Sequence, residues 1–188
     1  MKYSIQIYGN PVLREKSRRI EHVDAGIRRM AKDMLEAMHA THGVGLAAQQ
    51  VGRTEAMCVI DVPERLGSGE PRPPESEPLA AMPLVMLNPK IPHSEGQETC
   101  EEGCLSFPEL FVPIKRARRI TVEYMDLDEQ VRRFDAFGLL GRAIQHELDH
   151  LNGKLMVDRM DPVRKLTLAN TLKHLRSLGR QQADEAKS

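Results

Sequence analysis

Apolar positions recur at helical spacing in the first third of the chain. In DAGIRRMAKDMLEAMHATH (24–42), Ile27, Met30, Met34 and Met38 share one face, with Asp24 as a predicted N-cap and Gly43 as the stop. AMCVIDV (56–62) and LVMLNPKI (84–91) are short apolar runs and predict strands. RRITVEYMDLD (118–128) alternates like a half-buried strand, and QVRRFDA (130–136) is its predicted hairpin partner. FGLLGRAIQHELDHLNG (137–153) predicts a helix stopped by Gly153. Pro162 opens a last helix with Val163, Leu166, Ala169, Leu172, Leu175 and Leu178 on one face, and RQQADEAKS (180–188) is expected to fray. Between the first two strands, residues 64–83 hold five prolines and two glycines and predict an exposed loop. Strands in the middle with helices at either end predict an α+β fold rather than a βαβ alternation.

Composition narrows the classes. At 188 residues the chain is long enough for one domain with a sizeable core. Lys plus Arg and Asp plus Glu both number 27, so overall charge offers no case for a DNA or polyanion binder. The run KRARR (115–119) is a local exception and reads as a solvated strand edge. Three cysteines, an odd number, suit a reducing compartment better than a disulfide framework. MKYSIQIYGNPVLREKS lacks the apolar core of a signal peptide, and no apolar run reaches membrane-spanning length. A cytoplasmic location is therefore expected.

The candidate chemistry lies in QHELDH (145–150). Residues four apart on a helix differ by about 40° in azimuth and about 6 Å along the axis, so His146 and His150 can face one metal ion. Glu147 lies about 100° round from His146, where it reaches a water beside that ion rather than the ion itself. Two ligands do not close a site. The other five histidines are scattered, Cys58 sits in an apolar strand as a buried thiol would, and Cys100 fits the same reading. Cys104, in EEGCLSFPEL (101–110), is flanked by acids and a glycine, where core filling is the weaker explanation.

Three segments together resemble the motifs of the peptide deformylases. HGVGLAAQQ (42–50) carries the G-x-G-x-A-A-x-Q pattern in Gly43, Gly45, Ala47, Ala48 and Gln50, EGCLS spans 102–106, and Q-H-E-x-D-H spans 145–150, in the family's order. GNPVLR (9–14) and HLNGKLMVDR (150–159) extend the likeness. The resemblance implies a single catalytic domain over 1–188, with antiparallel or mixed β-sheets packed around a central metal-binding helix between an N-terminal and a C-terminal helix. It implies a hydrolase that removes the formyl group from the N-terminal formylmethionine of nascent polypeptides. Cys104, His146 and His150 would hold one divalent ion, Fe(II) by the family's pattern with Zn(II) as an alternative occupant. Glu147 would act as general base and then acid, and the Gln50 side-chain amide and the Leu105 backbone N–H would meet the developing oxyanion.

The same resemblance puts Val44, Gly45 and the helix face carrying Leu139 and Ala143 at the methionine pocket, and aligns Arg116 with a basic residue that touches the substrate backbone. Plain core packing also explains Leu139 and Ala143, and KRARR offers Arg116 several registers. Arg142 puts a charge near that pocket, its stem along the rim and its guanidinium in water. Lys165, Lys173, Arg176 and Arg180 give the last helix a basic side that either touches the ribosome transiently or is simply a solvated surface. Two rival readings stand: a zinc endopeptidase of the H-E-x-x-H kind, and a deformylase-like binding module without catalysis. The first leaves EGCLS and GVGLAAQQ unused, and the second does not explain an intact Glu147.

Overall fold

The chain forms, in order, α1 (Ala25–Ala40), β1 (Gly45–Ala47), β2 (Met57–Ile60), β3 (Leu84–Glu95), β4 (Glu98–Cys104), β5 (Phe107–Arg116), β6 (Arg119–Met125), β7 (Val131–Phe137), α2 (Gly138–Leu151), α3 (Met156–Arg159), α4 (Pro162–Thr167) and α5 (Ala169–Glu185). The structure, a computed structural model, describes residues 3–62 and 82–186. The proline-rich loop expected over 64–83 therefore lies almost wholly outside the described residues.

Five strands pair in the order β1-β2-β3-β6-β7, and β4 pairs with β5 as a separate hairpin. Every one of these pairings is antiparallel. β2 explains how the larger sheet is covered. All four of its residues are buried, and they alternate in direction: Met57 and Val59 pack with Met30, Met34 and Met38 of α1, whereas Cys58 and Ile60 pack with Leu140, Ile144 and Leu148 of α2. The period of two thus inserts the strand between two helices. Cys58 is a core residue, as expected.

α1 begins where its cap predicts, with the Ile27 N–H donating to Asp24 Oδ1 at 2.8 Å. Its end differs in detail. The left-handed residue is His42 (φ 54), and Gly43 follows it, donating its N–H to Met38 O at 3.0 Å. Gly43 is needed for room instead, because a Cβ there would lie 2.9 Å from Leu105 Cδ1.

Two expectations about the C-terminal region need correction. The apolar face predicted from Val163 to Leu178 is broken after Thr167: Val163 and Leu166 on α4 are 72% and 77% exposed, and burial begins at Leu172 and Leu175. Segment 180–186 is docked rather than loose, and residues 187–188 of the expected tail lie outside the described residues. Ile7 donates its N–H to Gln182 Oε1 (2.9 Å), Gln182 Nε2 donates to Ile5 O (2.8 Å), and Ala183 is buried. The N-terminal segment crosses α5 at Gly179, where a Cβ would meet Ile7 O at 2.3 Å. A polar-looking tail is held because its amide side chain completes the backbone bonding of a distant segment.

Candidate metal centre

α2 lies against the large sheet and is buried over most of its length, including His146, Glu147 and His150. The sulfur comes from the other sheet. At the end of the β4–β5 hairpin the register slips: Gly103 pairs with Phe111, but Cys104 pairs with Phe107. Such an irregularity turns a strand end, and here it delivers Cys104 to α2. Cys104 Sγ is 3.3 Å from His150 Nε2, which is 3.3 Å from His146 Nε2. The three donor atoms all lie within 4.8 Å of one another, and no other such group of His, Cys, Asp or Glu occurs among the described residues.

These separations suit one cation. With metal–nitrogen bonds near 2.0–2.1 Å and a metal–sulfur bond near 2.3 Å, tetrahedral ligands stand about 3.3 Å (N to N) and about 3.6 Å (N to S) apart. A thiolate with two imidazoles is a donor set for zinc or ferrous iron, and three protein ligands leave one position open.

His146 is held by its other nitrogen. Its Nδ1 is 3.0 Å from Glu102 Oε2, so an Nδ1–H donated there leaves Nε2 free to face a metal. Burial tends to raise the Glu102 carboxyl, but hydrogen bonds from Arg116 and His146 outweigh it and bring the pKa to about 2. Arg116 Nε and Nη2 donate to the two Glu102 oxygens at 2.8 and 2.9 Å, and Nη1 donates to Asp149. Arg159 also donates twice to Asp149, at 2.6 Å each.

This corrects the expectation for Arg116. Its side chain is 2% exposed and belongs to an internal ion-pair network behind His146, not to the substrate cleft. The solvated-edge reading of KRARR fails at this residue because its pairing partners sit on β4 and α2, remote in sequence. Asp149 and Arg159 were absent from the sequence-based site. An acid one turn after His146, facing an arginine in the following helix, was the available signal.

Glu147 points the other way, toward β1. A Cβ on Gly45 would fall 2.4 Å from Glu147 Oε1, so the glycine makes space for the carboxylate. Glu147 Oε2 is buried without a hydrogen-bond partner among the described residues. Burial pushes this carboxyl up to about 7, against the opposing pull of the His146 and Arg116 charges. Gln50 is fixed nearby by the Ala47 N–H, which donates to its Oε1 at 2.8 Å. That contact turns the amide's donor end, Nε2, toward Cys104 Sγ (3.5 Å) and Ser106 Oγ (3.4 Å).

Gln50, Glu147, Cys104 and His146 share a cleft of about 440 Å³ with Val44, Gly45, Leu105, Leu139 and Ala143. The expected pocket residues thus meet in one place, Arg116 excepted. Arg142 lines the same cleft and is half-tied, its Nη1 donating to Glu98 Oε1 at 3.1 Å. Within one small volume stand a Cys-His-His group that could hold a metal ion, a buried acid with an unpartnered oxygen and a neutral amide donor. That combination suits metal-assisted hydrolysis of an amide.

Known proteins share this arrangement of sequence. The family model described as polypeptide deformylase matches residues 2–166. A peptide deformylase of Methylacidiphilum infernorum is 39% identical over 182 residues, covering 94% of each chain. One of Dictyoglomus thermophilum is 39% identical over 155 residues, covering 82% of this chain and 90% of the relative. Among solved structures, the peptide deformylase from Ehrlichia chaffeensis superposes with a TM-score of 0.82 at 34% identity, over 96% of this chain and 98% of that one. The Synechococcus elongatus peptide deformylase in complex with actinonin gives 0.78 at 35% identity, over 93% and 86%.

Proposed function

The chain belongs to the polypeptide deformylase family, and from that premise we propose how its own residues carry out the reaction. The enzyme is a peptide deformylase, a hydrolase that releases formate from N-formyl-methionyl peptides. Cys104, His146 and His150 hold one divalent ion, and the convergence of one sulfur and two Nε2 atoms beside Glu147 carries this reading. When bound, the ion supplies Lewis acidity, lowering the pKa of water and polarising a carbonyl.

Glu147 takes the proton as water attacks the formyl carbon, and returns a proton to the departing amine nitrogen. A carboxyl with a pKa of about 7 is suited to both tasks. Gln50 Nε2 and the Leu105 backbone N–H donate to the formyl oxygen as it gains charge. Val44, Leu139 and Ala143 give the methionine side chain an apolar wall, and Gly45 lines the cleft beside the peptide while leaving room for Glu147. Fe(II) is the native ion, with Zn(II) able to occupy the same donors.

Work on nascent formylmethionyl chains favours a cytoplasmic location, and the exposed Lys165, Lys173, Arg176 and Arg180 favour a transient contact with the ribosome. Among the described residues, no helix is long and apolar enough to cross a membrane.

Glu147→Ala tests the assignment. The variant should keep one metal equivalent while formate release from formyl-Met-Ala-Ser falls about 10²–10⁴-fold, the usual share of general acid–base catalysis. Metal loss in this variant, or cleavage of unformylated internal peptide bonds by the parent, would contradict it.

A further inference from the structure

Phe111 is 67% exposed, yet it lines the same cleft as the metal centre. The hairpin has no need of it for its core, which is built from Phe107, Val112 and Ile114. Phe111 pairs with Gly103, and a Cβ on that glycine would lie 2.6 Å from Phe111 Cε1. The ring therefore rests on the bare backbone of the residue before Cys104. An aromatic side chain held there leaves one face open to whatever leaves the cleft.

The path of the peptide follows from the strand edges. Among the described residues β1 has only β2 as a ladder neighbour and β4 has only β5, and both strands contribute residues to the cleft. An extended peptide entering at Cys104 can run along the β4 edge, advancing about 3.3 Å per residue. With its formyl group at Cys104 and its methionine against Leu139 and Ala143, the peptide brings its next side chains past Gly103. The cleft, at about 440 Å³, is of a size that takes more than one residue.

We propose that Phe111 is a specificity-determining residue, an apolar wall that favours large apolar side chains on the residues directly after formylmethionine. This rests on the deformylase reading above and extends it to substrate choice. The surroundings sharpen the preference. Glu101 and Glu109 are exposed at the same mouth, while Arg142, the cation lining it, is engaged by Glu98. Acidic side chains at these positions are therefore disfavoured.

The test compares kcat/KM for formyl-Met-X-Ser and formyl-Met-Ser-X peptides with X as Leu, Phe, Ser or Asp. The parent enzyme should favour Leu or Phe over Ser by roughly tenfold at one of the two positions, the scale of apolar pocket discrimination. In Phe111→Ala that ratio should fall to within about twofold, and Phe111→Leu should restore most of it. A fall in kcat/KM by the same factor for every peptide would make the ring a mere cover for β4 and overturn the proposal. Equal turnover of Leu and Ser peptides by the parent would overturn it too. Absence of formate release from every peptide overturns the deformylase reading itself, and this inference with it.

Discussion

Glu147 Oε1 occupies the space beside Gly45 so closely that a Cβ on the glycine would stand 2.4 Å from it and 3.0 Å from Cδ. The glycine of β1 and the acid of α2 are therefore one device: backbone bareness on the sheet edge is what admits a carboxylate to the cleft. A misplacement of about 1 Å at a reacting group can cost about 10²-fold in rate. Gly45→Ala should lower kcat for formyl-Met-Ala-Ser on that scale while metal content stays at one equivalent. Steady-state kinetics with metal analysis checks this, and an unchanged kcat would separate Gly45 from Glu147.

Arg116 stands behind the site rather than in it. Replacing it by Met leaves the Glu102 carboxylate buried with only His146 for company. Breaking a buried ion pair from one side costs about 3–5 kcal/mol. Loosening a ligand's hydrogen-bonding support weakens metal binding about 10–100-fold. Arg116→Met should show both effects, in thermal unfolding and in metal titration. A substrate-contact role would instead raise KM and leave the melting temperature alone.

Much of this was legible beforehand, for physical reasons. Met30, Met34 and Met38 sit on a helical face whose period survives in the sequence, and α1 and α2 lie within the expected 24–42 and 137–153. The β6–β7 hairpin likewise follows its alternation. Arg116 departs from its expected place because local sequence exposes charge but not the distant carboxylates that neutralise it. The docking of 180–186 was hidden for a similar reason: Gln182 looks like a tail residue until its partners, Ile5 and Ile7, are known. Phe111 carries no signal of its own, because nothing in EEGCLSFPELFVPIK distinguishes an exposed aromatic from its buried neighbours.

Asp158 joins the N-terminal segment to α3, accepting from Arg14 and, at 2.8 Å, from the Leu155 N–H. Burial tends to raise this carboxyl, but the Arg14 and Leu155 hydrogen bonds prevail and lower it below its ordinary value. A depressed carboxyl stabilises the fold above its unfolded pKa of about 3.9, and that stability is lost as pH falls through the folded value. The pair is more than one-third exposed, so screening limits it to about 1 kcal/mol. Asp158→Asn should therefore destabilise by up to that amount at pH 7 and by less near pH 2–3. Denaturant titrations at the two pH values check it, and an equal cost at both would contradict the assignment.

On the function proposed above, Cys104, His146 and His150 together hold the one ion on which deformylation depends. The most direct measurement is formate release from formyl-Met-Ala-Ser as Fe(II) is added without oxygen to metal-free protein, with metal bound per chain read in parallel. Activity should rise in proportion to bound metal and saturate at one equivalent, and Cys104→Ala should bind less and stay inactive. Full activity in the metal-free protein, or in Cys104→Ala at the same occupancy as the parent, would contradict it.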